Sequence, residues 1–451
     1  MNAPTSSVRE VARIAVPVSI EAIVILVLNF VNQIIVGALG VVAIAAVGFA
    51  NSLNFIVLIT VSALGISVTI LVARAAGAGR KHDMATTISS AVIVGGAVSG
   101  LFALVLAVRP ESLLELVGAS PSVAGEGATY LRFIALALIP SVVSAILSGV
   151  LRATGRPRVP MVITFITAAI GAGLAWVLVF GLGPIPALGV PGAGIATLVA
   201  AILKLVLLVP FVFRDTIAWE TPSRDDLRLV LGPLFILAIP MGLTEFVWAS
   251  GTFLYNVVFQ QLGDDALAAA QITVNLEGIF IVAAIGIMTA ATALIGTAVG
   301  QGDVAAVYSW ITLLRKIGVI TGLTFGALFA LAAFLVPVLF PNAGPEVQRM
   351  AVIGILINAA IQAVKVGNMI FGAGILPSGN DVKGVLIGTA VSAFAIGLPL
   401  AIILGLFTPL GIVGIFLARV IEEVVKFQYF RYRAQRIDWG ALVAAQAGRA
   451  I

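Results

Sequence analysis

Ionisable side chains fall well inside the long apolar runs of this 451-residue chain, among them Glu21, Lys204, Glu245, Glu277, Lys365, Arg419, Glu422 and Glu423. A charge near the middle of a bilayer costs roughly 2.5–3.5 kcal/mol on insertion scales, so such a residue persists where it is paired or where it works. Glu21 follows Pro17 by four residues and Glu245 follows Pro240 by five. Each proline removes a backbone donor and can bend its helix beside the acid. A carboxyl in such a place can load and release a proton as its exposure alternates. If an organic cation competes with that proton, exchange follows directly. The plainer reading is a structural Glu bonded to a neighbouring helix.

The other charges divide by spacing. Arg419 and Glu423 sit at i, i+4, as do Glu422 and Lys426, which favours local ion pairs. Lys365 has no acid within one turn, so its partner must come from another helix, with Glu277 and Glu245 as candidates. Glu277 shares a helix with Gln271 and Asn275, which face one side at i, i+4; it lies about 240° around from Gln271 and need not join them.

Composition says what must position these groups. Hydrophobic residues make up 61% of the chain and charged residues 10%, against about 25% charged in a soluble protein. Lipid must therefore be the solvent for much of it. Apolar runs long enough to cross a bilayer lie near 12–36, 46–74, 85–107, 127–151, 158–180 and 193–213, then near 234–258, 266–294, 313–336, 348–374, 382–406 and 411–432. The first run is too long for a signal-peptide core and reads as a retained span. The stretch 108–126 is too charged to span and reads as an outer helix or connector. With no Cys and only His82, in a polar turn, neither thiol chemistry nor a metal site is expected. No phosphate-binding loop appears, and no cofactor is expected.

Basic residues set the orientation. With the N-terminus inside, the inner segments hold Arg74, Arg80, Lys81, Arg152, Arg156, Arg158, Arg214, Arg224, Arg228, Arg315, Lys316 and Lys383, then a basic tail from Lys426 to Arg449. Outer segments hold only Arg109, Arg132 and Arg349. The positive-inside rule thus places both termini in the cytoplasm. The net charge of +5 is explained by these loops rather than by nucleic-acid binding.

The chain also repeats itself. An offset of 223 residues sets Pro17 on Pro240, Leu39-Gly40 on Leu262-Gly263 and Gly77-Ala78-Gly79 on Gly300-Gln301-Gly302. An offset of 222 sets Gly189 on Gly411 and Lys204 on Lys426. Six spans per repeat give parallel repeats, which can rock about a central cavity. The expected organisation is an N-terminal six-helix lobe (1–213), a cytoplasmic connector (214–230), a C-terminal six-helix lobe (231–435) and a cytoplasmic tail (436–451).

Several motifs carry a resemblance. Val31-Asn32-Gln33-Ile34-Ile35-Val36-Gly37-Ala38-Leu39-Gly40 closes the first span, and Val72-Ala73-Arg74-Ala75-Ala76-Gly77-Ala78-Gly79 follows the second. Leu151-Arg152-Ala153-Thr154-Gly155-Arg156-Pro157 follows the fourth, and Leu188-Gly189-Val190-Pro191-Gly192-Ala193-Gly194 enters the sixth. In order and spacing these are similar to the multidrug and toxic compound extrusion (MATE) family. The resemblance implies an all-α, polytopic membrane fold of twelve helices in a V shape. It implies a secondary antiporter of the bacterial inner membrane, exporting small organic, chiefly cationic compounds in exchange for H+ or Na+ by alternating access, as a monomer among membrane lipids. On the reading of the intramembrane charges given above, ion coupling would fall to Glu245, Glu21 and Glu277. The substrate cavity would draw on Asn32, Gln33, Trp248, Tyr255, Asn256, Gln271 and Asn275.

This chain departs from the family pattern at several positions: Pro377 stands where an Arg is usual, and Glu245 lies about one turn before the span-seven Glu of the sodium-coupled branch. Asn32 stands where many members carry an Asp in the first span, and Lys365 stands in a region where the sodium-coupled branch uses an acid. Asn32 cannot titrate, so it removes a possible proton carrier, whereas Lys365 argues against a Na+ site in its region and tips the balance toward protons. A lipid-linked precursor flippase of the same superfamily is the alternative, and would need a cavity rich in Arg or Lys. A membrane-embedded enzyme is a remoter one, because no nucleophile or metal constellation is present.

Overall fold

A computed structural model describes residues 7–116, 118–213 and 219–447. Arg214 and Arg449, expected on the inner face, lie outside the described residues, as does the start of the connector at 214–218. Among the described residues twelve helical spans follow one another. In the first half they are α1 (Val8–Gly37), α2 (Val41–Gly77), α3 (Lys81–Val108), α4 (Pro121–Ala153), α5 (Arg158–Phe180) and α6 (Val190–Phe213). In the second half come α7 (Arg224–Gln261), α8 (Asp264–Gln301), α9 (Val304–Leu339), α10 (Pro345–Ala360 with Gln362–Ser378), α11 (Val382–Leu406) and α12 (Ile412–Gln435). The two parts of α10 meet at a 58° bend. Ten of the twelve are long and apolar enough to cross a membrane as single helices, and α10 is so as a bent pair; α12 carries the charges that lower its hydropathy. In lipid a helix satisfies every backbone donor and acceptor internally, which is why apolar runs take this form.

Bulky side chains such as Phe30, Leu101, Phe165, Trp176 and Phe253 stand exposed on these helices, as a hydrocarbon solvent allows. The charged stretch after α3 forms the short helix Pro110–Leu116, held by the buried Leu114. α7 already begins at Arg224, inside the stretch expected as connector, because Ser223 and Asp226 cap its first turn reciprocally: the Ser223 N–H donates to the Asp226 carboxylate at 2.9 Å, and the Asp226 N–H to Ser223 Oγ at 3.1 Å. The tail is also more ordered than its composition suggests, forming a helix at Trp439–Ala447 with Trp439 buried.

The repeat is visible in the backbone. Gly40 (φ 103°) precedes α2 and its mate Gly263 (φ 109°) precedes α8, a conformation closed to residues with a Cβ. Gly189 and Gly411, mates at the other offset, likewise share positive φ.

Packing divides the chain into two compact units, Ile20–Gly242 and Met1–Ser19 with Leu243–Ile451. The division falls two residues beyond Pro17 in α1 and two beyond Pro240 in α7. In Ile20–Gly242 the centre is α2 against α4, with Leu64, Val68 and Val72 meeting Val142, Ile146 and Val150. Small residues allow this approach: an added Cβ on Gly149 would meet Thr69 Oγ1 at 2.5 Å and the Gly65 carbonyl at 2.9 Å. The first half of α7 joins this core through Leu234 and Ala238.

In the other unit the first half of α1 packs Val11, Ile14, Ala15 and Val18 against Ala284, Ile287, Ala290 and Ala291 of α8. Gly286 is the contact point, where an added Cβ would strike the Ala15 carbonyl and Ser19 Oγ. Gly286→Ala is therefore expected to destabilise the protein by about 1–3 kcal/mol through overpacking, measured as a lower unfolding temperature in detergent. An unchanged unfolding temperature would show that α1 can shift away freely.

Candidate functional site

Within Ile20–Gly242, Glu21 is 2% exposed and its two oxygens are fully engaged. Arg152 of α4 donates from Nη2 to Oε2 at 2.7 Å, Thr164 of α5 donates to Oε1 at 2.9 Å, and Lys204 of α6 reaches Oε1 at 3.4 Å. One carboxylate on α1 thus ties three helices together. Of the two readings open for Glu21, the geometry is that of a bonded group.

The second unit holds a longer polar network along α10. Lys365, whose partner the sequence left undecided, donates to Glu277 of α8 at 2.5 Å and to Asn358 Oδ1 at 2.6 Å. Asn358 in turn donates to the Gly354 carbonyl at 2.8 Å, just before the bend. Asn368 donates to the Glu423 carboxylate at 2.7 Å, and Lys426 reaches the other oxygen of Glu423 at 2.7 Å. Arg419 and Glu423 do not form the local pair expected from their spacing. Glu423 is taken by Lys426 and Asn368, and the Arg419 guanidinium lies over the Tyr255 ring at 4.7 Å. The expected Glu422–Lys426 pair is present but long, at 3.9 Å.

Tyr255, expected to line a cavity, is 2% exposed and donates from its hydroxyl to Glu422 Oε2 at 2.6 Å. Gly397 makes room for that bond: an added Cβ there would strike the Tyr255 hydroxyl and crowd Glu422. A π-helical turn in α11 at Val391–Gly397 delivers the glycine to this point. Here Tyr255 braces α7 to α12.

Glu245 differs from every other acid discussed. It is half-buried on α7, and among the described residues no side chain or backbone group bonds to it. Trp248, three residues on and so on the same helix face, is 47% exposed. Asn256 accepts from Gln271 at 3.2 Å, joining α7 to α8. Gln33 and Asn275 are exposed, and Asn32 is half-buried with an unpartnered, buried Oδ1.

Gln362 was not singled out by sequence. It is fully buried beside the bend in α10, with both amide atoms unpartnered. The signal existed: Asn358, Gln362, Lys365 and Asn368 follow one another at helical spacing and mark one polar stripe on α10.

Comparison with known proteins supplies a framework for these sites. The sequence matches the MatE family model over residues 17–177 and 240–418, two segments that begin on the repeat-mate prolines. It is similar to the probable multidrug resistance protein NorM of Deinococcus radiodurans, 28% identical over 436 residues and covering 91% of each chain. It is also similar to the protein of that name from Bradyrhizobium diazoefficiens, 28% identical over 438 residues and covering 90% of this chain and 89% of that one. Among solved structures, a mutant of the Vibrio cholerae MATE transporter VcmN superposes with a TM-score of 0.88 at 21% identity, over 95% of this chain and 96% of that one. An outward-facing multidrug resistance MATE family transporter gives 0.86 at 22% identity, over 97% and 96%. At such identities the structural matches establish the twelve-helix fold.

Proposed function

The chain belongs to the MATE family, and from that premise we propose that it is a secondary active antiporter exporting organic, chiefly cationic compounds across the bacterial inner membrane in exchange for H+. The observation that carries this reading is the isolation of Glu245. Glu21, Glu277, Glu422 and Glu423 each have a cation or hydroxyl in contact, whereas Glu245 has no partner among the described residues. A carboxylate in a low-dielectric setting needs a counter-ion or a proton. Bound drug cation and bound proton are the two neutral states of one group, so loading one expels the other. Alternating exposure of that group to the two sides of the membrane turns competition into exchange. The exposed face of Trp248 offers a stacking surface for planar cations beside it. The names of the NorM relatives support a multidrug substrate class.

Protons are favoured over sodium for a structural reason. Hard cations want several oxygens, and Glu277 Oε1 and Asn358 Oδ1 are already bonded to the Lys365 ammonium, whose charge repels a second cation there. Glu277, expected to share in ion coupling, therefore serves in this reading as the anchor of Lys365. Glu21 likewise serves as an anchor within its own lobe. In proteoliposomes an imposed pH gradient alone is expected to drive accumulation of a fluorescent organic cation, while a sodium gradient at constant pH drives none. Transport that runs only on sodium would overturn the proton reading.

A further inference from the structure

The buried cluster around Glu21 does not balance its own charge. One carboxylate, Glu21, is met by two cations, Arg152 and Lys204, leaving an excess of one positive charge. Among the described residues no second acid contacts either cation. The repeat mate of Lys204 shows the contrast: Lys426 faces two carboxylates, Glu423 at 2.7 Å and Glu422 at 3.9 Å. Arg152 also keeps a buried Nε with no hydrogen-bond acceptor. A guanidinium N–H left unsatisfied away from water is a costly arrangement unless an acceptor arrives. The side chains of Arg152 and Lys204 are each 22% exposed, so both cations present an open edge. Arg152 lies one residue before the end of α4, at the turn that the positive-inside rule assigns to the cytoplasmic face.

We propose that Arg152 and Lys204, seated on Glu21, form a binding site for one phosphate oxyanion. The planar Arg fork suits an oxyanion better than a spherical anion, and the Lys ammonium adds a point charge beside it. Thr164 is not a ligand; its hydroxyl is spent on Glu21, holding the carboxylate against α5. Two sources share this chemistry: the headgroup of an anionic phospholipid in the inner leaflet, where such lipids concentrate, and free phosphate from the cytosol. The site is independent of the coupling role proposed for Glu245.

The test uses the full chain in nanodiscs at fixed pH and ionic strength. One arm titrates inorganic phosphate into phosphatidylcholine discs; the other replaces part of the phosphatidylcholine with phosphatidylglycerol. Wild type is expected to gain unfolding temperature in at least one arm, and the arm that responds identifies the source. Lys204→Gln leaves a neutral Glu21–Arg152 pair and is expected to weaken the response at least about tenfold in apparent affinity. Glu21→Gln leaves two cations and no acid, and is expected to strengthen it. These opposite signs separate a charge-selective site from a merely structural cluster. Should Glu21→Gln fail to fold, Lys204→Arg, which keeps the charge and the response, makes the contrast with Lys204→Gln. The proposal is overturned if wild type responds in neither arm, or if Lys204→Gln responds as wild type does.

Discussion

Glu245→Gln is expected to reduce pH-driven transport of an organic cation in proteoliposomes to the level of protein-free vesicles, a loss of at least about tenfold. An amide cannot change its charge, so neither proton nor cation is bound in exchange for the other; tenfold corresponds to ~1.4 kcal/mol of differential binding. The same substitution is expected to leave the unfolding temperature unchanged or slightly raised. Glu245 has no bonded partner to lose among the described residues, and a neutral amide is easier to hold in a half-buried place than a carboxylate. Glu245→Asp, which keeps the charge, should retain part of the transport. This combination, lost transport with intact stability, is what distinguishes a coupling residue from a structural one. Wild-type transport by Glu245→Gln would remove the residue from the mechanism.

The second large effect is on stability. Lys365→Met is expected to destabilise the protein by about 3–5 kcal/mol, the usual cost of breaking a buried ion pair by removing one partner. Both side chains are largely buried, and the substitution strands Glu277 together with the Oδ1 of Asn358. The double variant Lys365→Met with Glu277→Leu should regain most of the loss, because neither charge then remains unpaired. A double-mutant cycle in detergent, following unfolding of the purified protein, reads the coupling directly. Losses that simply add would show that the two residues are energetically independent.

These expectations depend unequally on sequence and structure. The spans follow from apolar runs alone, and α12 could be counted among them despite its charges because a twelfth span completed the charge topology. Structure then supplied the reason those charges are tolerated: Glu422 meets Tyr255, while Glu423 meets Lys426 and Asn368. The repeat was equally readable, since turns such as Gly40 and Gly263 need glycine for a local backbone conformation that any sequence comparison detects. The prolines at 17 and 240 stood out for the same reason.

Pairings were not readable, and the physical cause is distance along the chain. Arg152 and Glu21 are 131 residues apart, Lys365 and Glu277 are 88, and Tyr255 and Glu422 are 167. Which helix faces meet depends on where small residues let backbones approach, as at Gly149 against α2 and Gly286 against α1. A repeat can place Glu21 and Glu245 beside matching prolines, yet only packing determined that Glu21 would find Arg152, Thr164 and Lys204 while Glu245 found no partner among the described residues. Sequence by itself determined a duplicated twelve-span membrane protein and the few charges inside it, because hydropathy, turn geometry and repetition are local properties. Tertiary structure alone decided which of those charges hold helices together and which one has no bonded partner among the described residues, because that depends on contacts between helices far apart in the chain.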